Sequence, residues 1–130
     1  MPKTPETPTD AHLTILNVLW DRGASTVREV HEALPASLRR GYTTTLKQMQ
    51  LMVERGLLSR DESGRSHQYR PLVDRGDTLG TLVRDLRDRA FGGSAAKLVL
   101  RALSDEPASP DEVAQIRSLL DQLESDGGAS

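Results

Sequence analysis

Residues 42–71 read YTTTLKQMQLMVERGLLSRDESGRSHQYRP, and two periodicities meet inside them. Up to Arg55, Tyr42, Leu46, Met49 and Val53 recur at i, i+4, i+7 and i+11, the spacing of one buried helix face. The opposite face carries Thr43, Thr44, Lys47, Gln48 and Leu51. Gly56 then stops the helix, because glycine adopts the left-handed backbone at little cost. Beyond it the period falls to two. Leu57-Leu58-Ser59-Arg60 and Ser66-His67-Gln68-Tyr69-Arg70 flank the turn-rich Asp61-Glu62-Ser63-Gly64-Arg65, and Pro71 closes the second run. The stretch predicts a helix leading directly into a β-hairpin.

Working back toward the N-terminus, a polar connection from Ala36 to Gly41 carries the pair Arg39-Arg40. Before it, Thr26-x-x-Glu29 is a capping box, in which each side chain satisfies an orphan backbone N–H of the first helical turn. Val27, Val30, His31 and Leu34 share one face of that short helix, and Pro35 ends it. An earlier helix places Leu13, Leu16 and Trp20 on a stripe widened by Ile15, Val18 and Leu19; Thr9 or Asp10 caps it and Gly23 stops it. Residues 1–8 hold three prolines and almost nothing apolar, the composition of a flexible arm.

Toward the C-terminus the chain returns to helix. Leu79, Leu82, Val83 and Leu86 mark one that ends near Ala90, and Phe91-Gly92-Gly93-Ser94 breaks it. Ser94 caps a short apolar helix through Leu98, Val99, Leu100 and Leu103. Ser109-Pro110-Asp111-Glu112 starts the last one, with Ser as N-cap, Pro at the first position and acids in the first turn. Val113, Ile116, Leu119, Leu120 and Leu123 line its apolar side, and residues 125–130 read as a disordered tail. The expected organisation is an arm (1–8), a first domain (9–72), a helical region (73–124) and the tail.

The whole chain bounds the function. Its 130 residues make one modest domain or two small lobes. Apolar runs are short and closed by charges, as Lys97 and Arg101 close Leu98-Val99-Leu100, so none spans a bilayer. With no secretory leader visible, the expected location is the cytoplasm. No cysteine is present, which excludes disulfides, thiolate metal sites and thiol catalysis. His12, His31 and His67 lie on different elements without metal-ligand spacing, so no metal and no cofactor are expected. No Ser/His/Asp set or phosphate-cradling glycine loop points to an enzyme. The net charge of −2 hides a polarity. Residues 38–70 carry seven basic and three acidic side chains, or +4, whereas residues 73–130 carry seven and eleven, or −4.

Helix–helix–helix–hairpin with short connections is the layout of a winged helix-turn-helix: a mainly α fold with a small β-hairpin, followed by a three-helix dimerisation region. In that layout two helices hold a third so that its outer face enters the major groove of DNA, and the hairpin reaches phosphate beside it. The expected DNA contacts are Thr43, Thr44 and Lys47 on the third helix, with Gln48 suited to reading adenine and Tyr42 to a phosphate. Arg39 and Arg40 before that helix, Thr26 and Arg28 at the start of the second, and Arg65 at the wing tip are expected on the backbone. The last three helices total about 50 residues, too few to bury a core alone. Leu79, Leu82, Val83, Leu86, Leu98, Leu103, Val113, Ile116, Leu120 and Leu123 are therefore expected in a homodimer interface. The alternative is a winged-helix protein-interaction module without specific DNA binding.

Several strings also resemble one family. Leu16-Asn17-Val18-Leu19-Trp20, Ser25-Thr26-Val27-Arg28-Glu29-Val30, Tyr42-Thr43-Thr44-Thr45-Leu46, Arg55-Gly56-Leu57-Leu58 and Gly64 to Leu72 are similar to the penicillinase repressors of the BlaI and MecI type, as is the Phe91-Gly92-Gly93-Ser94 break. The resemblance implies a dimeric transcriptional repressor on double-stranded operator DNA with an inverted repeat, relieved through a membrane sensor-protease. Two departures are visible. The Asn-Phe bond cut in proteolysed members is replaced within Leu100-Arg101-Ala102-Leu103, and the cysteine cluster of the copper-responsive branch is absent.

Overall fold

In a computed structural model, residues 10–128 are described. They form α1 (Asp10–Arg22), α2 (Val27–Ala33), α3 (Tyr42–Glu54), β1 (Leu58–Asp61), β2 (Gln68–Pro71), α4 (Arg75–Ala90), α5 (Ala95–Asp105) and α6 (Pro110–Gly128). The chain divides into two compact units between Val83 and Arg84, inside α4, whereas the sequence reading put its boundary at Leu72. The physical reason lies at the start of α4. The Trp20 indole N–H donates to the Val73 carbonyl at 3.1 Å, and Arg75 lies over the Trp20 ring while pairing with Asp21 at 3.0 Å. These contacts fasten the first turns of α4 to α1.

The first unit is built around one core. Ile15, Leu16 and Leu19 from α1 meet Val27 and Val30 from α2, Met49 and Met52 from α3, and Leu57, Leu58 and Tyr69 from the wing. The stops act where the glycines were expected to place them: Gly23 and Gly56 have φ of 88° and 80°, in the left-handed region. The Thr26–Glu29 capping box closes from both sides, at 3.1 and 2.9 Å. The strands β1 and β2 pair antiparallel with Leu58 opposite Pro71 and Asp61 opposite Gln68. Ser25 adds a further bridge to Tyr69, exchanging two backbone hydrogen bonds of 3.0 and 2.8 Å.

The inward stripe of α3 differs from the one read off the sequence. Thr45, Met49 and Met52 are buried, Leu46 and Val53 are half-buried, and Tyr42 is 42% exposed. The helix is rotated because Thr45, a polar residue, is satisfied inside: its hydroxyl lies 2.8 Å from Nδ1 of His31. On α1, Leu13 and Trp20 are half-buried while His12 is buried.

In the second unit, Gly92 and Gly93 (φ 56° and 83°) end α4, and the Gly93 N–H reaches back to the Arg87 carbonyl. The Ser94 side chain caps α5, and Ser109 and Glu112 form a capping box at the start of α6. Helix α6 runs on to Gly128, past the expected start of a tail at residue 125. The expected arm and Thr9 cap, and residues 129–130, lie outside the described residues. No residue of α5 is buried, nor any side chain described in α6.

The two capping boxes predict an acid limb. Thr26 lowers the Glu29 carboxyl through its backbone N–H and side chain, and Ser109 does the same to Glu112. A carboxyl depressed in the folded state stabilises fully above its ordinary value of 4.5 and loses that contribution as pH falls through the depressed value. Thermal melts across this range should therefore show a stability loss that Glu29→Gln with Glu112→Gln makes shallower. An unchanged slope would remove both boxes from the acid limb.

Candidate nucleic-acid interface

Helix α3 begins differently from its neighbours. Side chains cap α2, α5 and α6, and Asp74 accepts from the Asp77 N–H in the first turn of α4. At α3 the N-cap is Gly41, which offers no side chain, and the first turn holds no acid. Its leading backbone N–H groups are left for an outside acceptor, and the helix dipole favours an anion there. Around that end Thr43, Thr44 and Lys47 are exposed. Among the described residues, Arg40, Lys47 and Arg65 take part in no ion pair, so their charges are not neutralised within the chain.

A groove lies on each side of α3. One, of about 370 Å³, is lined by Thr26 and Arg28 of α2, Tyr42 and Leu46 of α3, and Arg65, Ser66 and His67 of the wing turn. It brings together four of the residues named from sequence. The Tyr42 ring is held there between the Arg28 guanidinium, 5.6 Å from its centroid, and the His31 ring, set edge-on at 5.6 Å. Thr26 is engaged in the capping box, its oxygen accepting from the Glu29 N–H. The second groove, of about 340 Å³, is lined by Arg40, Thr44 and Gln48 together with Asp10, Ala11 and Thr14 of α1.

Two of the residues named from sequence have other attachments. Arg39 donates through Nη2 to the carbonyls of Glu32 and Leu34, at 3.0 and 2.9 Å, and so caps the C-terminal end of α2. Gln48 is half-buried, and its Oε1 lies 3.0 Å from Nε2 of His12 on α1. Ser66 and His67 line the first groove beside Arg65 and were not named from the sequence; their place in the wing string was the available signal. The wing turn is itself ordered by Asp61, whose carboxylate accepts from the Ser63 N–H at 2.9 Å and is held below its ordinary value mainly by Ser63. Arg60 pairs with Glu62 at 2.7 Å beside it.

Among the described residues no three His, Cys, Asp or Glu side chains converge as metal ligands, and no helix is long and apolar enough to cross a membrane. The sequence pattern of the penicillinase repressor family matches residues 8–122. The chain belongs to that family. Penicillinase repressors are transcriptional repressors and not enzymes. The transcriptional regulator BlaI of Mycobacterium tuberculosis is 29% identical over 120 residues, which cover 92% of this chain and 86% of that protein. The penicillinase repressor of Bacillus licheniformis is 23% identical over 122 residues, 94% of each chain. Among solved structures, Bordetella bronchiseptica BpsR aligns over 94% of this chain and 84% of its own, with a TM-score of 0.50 and 19% identity, a likeness of fold. The chain has the winged-helix fold expected from its sequence.

The attachments of the adjacent arginines separate their roles. Arg39→Ala should lower stability by about 1 kcal/mol, the net contribution of such hydrogen bonds. It should change DNA affinity less than Arg40→Ala, which leaves the fold unchanged and removes an unpaired cation. Urea unfolding and gel shifts of both variants decide it; equal losses of affinity would place both residues on the phosphates.

Proposed function

We propose that this chain is a sequence-specific repressor that binds a pseudo-palindromic operator as a homodimer in the cytoplasm. The observation that carries the reading is the uncapped, acid-free start of α3, with Thr43, Thr44 and Lys47 exposed beside it and unpaired cations at Arg40 and Arg65. Backbone phosphates match that end of the helix, and the groove between α2, α3 and the wing adds Thr26, Arg28 and Tyr42.

Support for the homodimer comes from what α4, α5 and α6 leave uncovered. Of the residues expected at the interface, Leu79, Val83, Leu86, Leu103, Leu120 and Leu123 are exposed, and Leu82, Leu98, Val113 and Ile116 are half-buried. Helices α5 and α6 lack buried side chains among the described residues, so burial against a second copy supplies what one chain does not. A two-fold dimer sets half-sites about 34 Å apart, or a multiple of that.

Relief of repression is assigned to a membrane sensor-protease, on the strength of the family. In this chain the family's Asn-Phe bond is replaced within Leu100-Arg101-Ala102-Leu103, where Arg101 sits inside α5 and pairs with Asp105 at 3.1 Å.

One experiment tests the reading. Full-length protein should shift its own promoter DNA, with affinity falling on the order of a thousandfold between 50 and 200 mM salt. The charge reversals Arg40→Glu, Lys47→Glu and Arg65→Glu together should abolish the shift, and Leu103→Asp with Leu120→Asp should give a monomer on sedimentation. A shift that survives the reversals, or a protein partner lost in its place, would overturn the DNA reading in favour of an interaction module.

A further inference from the structure

We propose that His12 fixes the Gln48 amide so that Gln48 offers DNA a hydrogen-bond donor and not an acceptor, which directs it to the acceptor-only edge of a guanine or thymine. The inference rests on the reading above that α3 faces the major groove.

His12 lies on α1 and is 2% exposed, while Gln48 lies 36 residues later on α3. The ring Nε2 of His12 stands 3.0 Å from Oε1 of Gln48. An amide oxygen only accepts, so Nε2 carries the hydrogen and Oε1 is engaged from the protein side. What remains for an outside partner is the amide NH2, a pair of donors. Reading adenine takes the whole amide, with oxygen accepting from N6 and nitrogen donating to N7. With Oε1 held by the His12 ring, the amide does not offer adenine both groups at once. Guanine O6 and N7, and thymine O4, ask only for donors.

The surroundings agree. Gln48 lines its groove with Thr44, one helical turn earlier, and with Arg40. A hydroxyl, a guanidinium and an amide NH2 thus stand along one side of the recognition helix, and all three can donate. Gln48 is the residue that touches the base, and His12 is a positioning residue that touches none. This replaces the adenine contact expected from sequence, which treated Gln48 as an unattached side chain.

Binding sites selected from a random-sequence duplex pool, using full-length protein, test the assignment. Wild type should prefer guanine or thymine at one position of each half-site. Gln48→Ala should lose that preference by about fivefold or more at that position only. Gln48→Lys, a donor without an acceptor, should keep it. His12→Leu should shift that position toward adenine and leave the others alone, whereas a merely structural role would weaken all sequences together. Where guanine is selected, its replacement by 7-deazaguanine, which lacks the N7 acceptor, should weaken binding. Should His12→Leu fail to fold by circular dichroism, the Gln48→Lys and Gln48→Ala pair decides alone.

Adenine at the Gln48-dependent position in wild type overturns the inference, and so does a Gln48→Ala selection identical to wild type. In both cases the DNA reading stands, because a preferred sequence is still selected. Selection of no sequence by wild type removes the DNA reading and the inference together.

Discussion

The exchange of backbone hydrogen bonds between Ser25 and Tyr69 holds the first unit in the shape its function needs. At 3.0 and 2.8 Å, these two bonds tie the residue before the α2 cap to the middle of β2. Two strands alone are marginal in water. The bridge gives the hairpin a third point of pairing, and Tyr69, 2% exposed, sinks its ring into the helical core. The wing is thereby set beside α3 by the same residues that start α2, and the groove between them is a consequence. Thr26, one residue on, serves the cap, and its neighbour Arg28 reaches Tyr42 on α3.

Local rules carried much of the fold in the sequence. Both capping boxes, the Ser94 cap, the glycine stops and the change of period at Gly56 each describe short-range physics, and each appears where its residues stand. What the sequence concealed was non-local. Apolar spacing put Tyr42 inward, but Thr45 takes the buried place because His31, on another helix, meets its hydroxyl. Arg39 looked like one of a pair of surface cations, yet it binds carbonyls five and seven residues back. Gln48 looked free until α1 brought His12 to it. Hydrophobic periodicity counts apolar residues and is blind to a satisfied polar group inside. For α6, the apolar stripe stops at Leu123, but helix continues over Glu124–Gly128 because the hydrogen-bonded ladder needs no apolar face to persist for one more turn.

The two units divide the physical work. The first has a core of its own and presents basic and hydroxyl groups at the start of α3; the second has leucine faces without a covering. The net charge of −2 blurs that division, since +4 over residues 38–70 is offset by −4 over residues 73–130. An acidic region also disfavours non-specific attachment of the leucine-bearing helices to DNA, which leaves the winged helix as the electrostatically favoured contact.

Under the proposed function, the uncapped start of α3, flanked by the wing, is the surface that meets DNA. Backbone amide resonances of the labelled full-length protein, followed while duplex promoter DNA is added, test it most directly. The largest shifts are expected at the N–H groups of Tyr42 to Lys47 and of Arg65 to His67, with the α5 and α6 amides little changed. Shifts concentrated on α5 and α6, with the start of α3 silent, would contradict it.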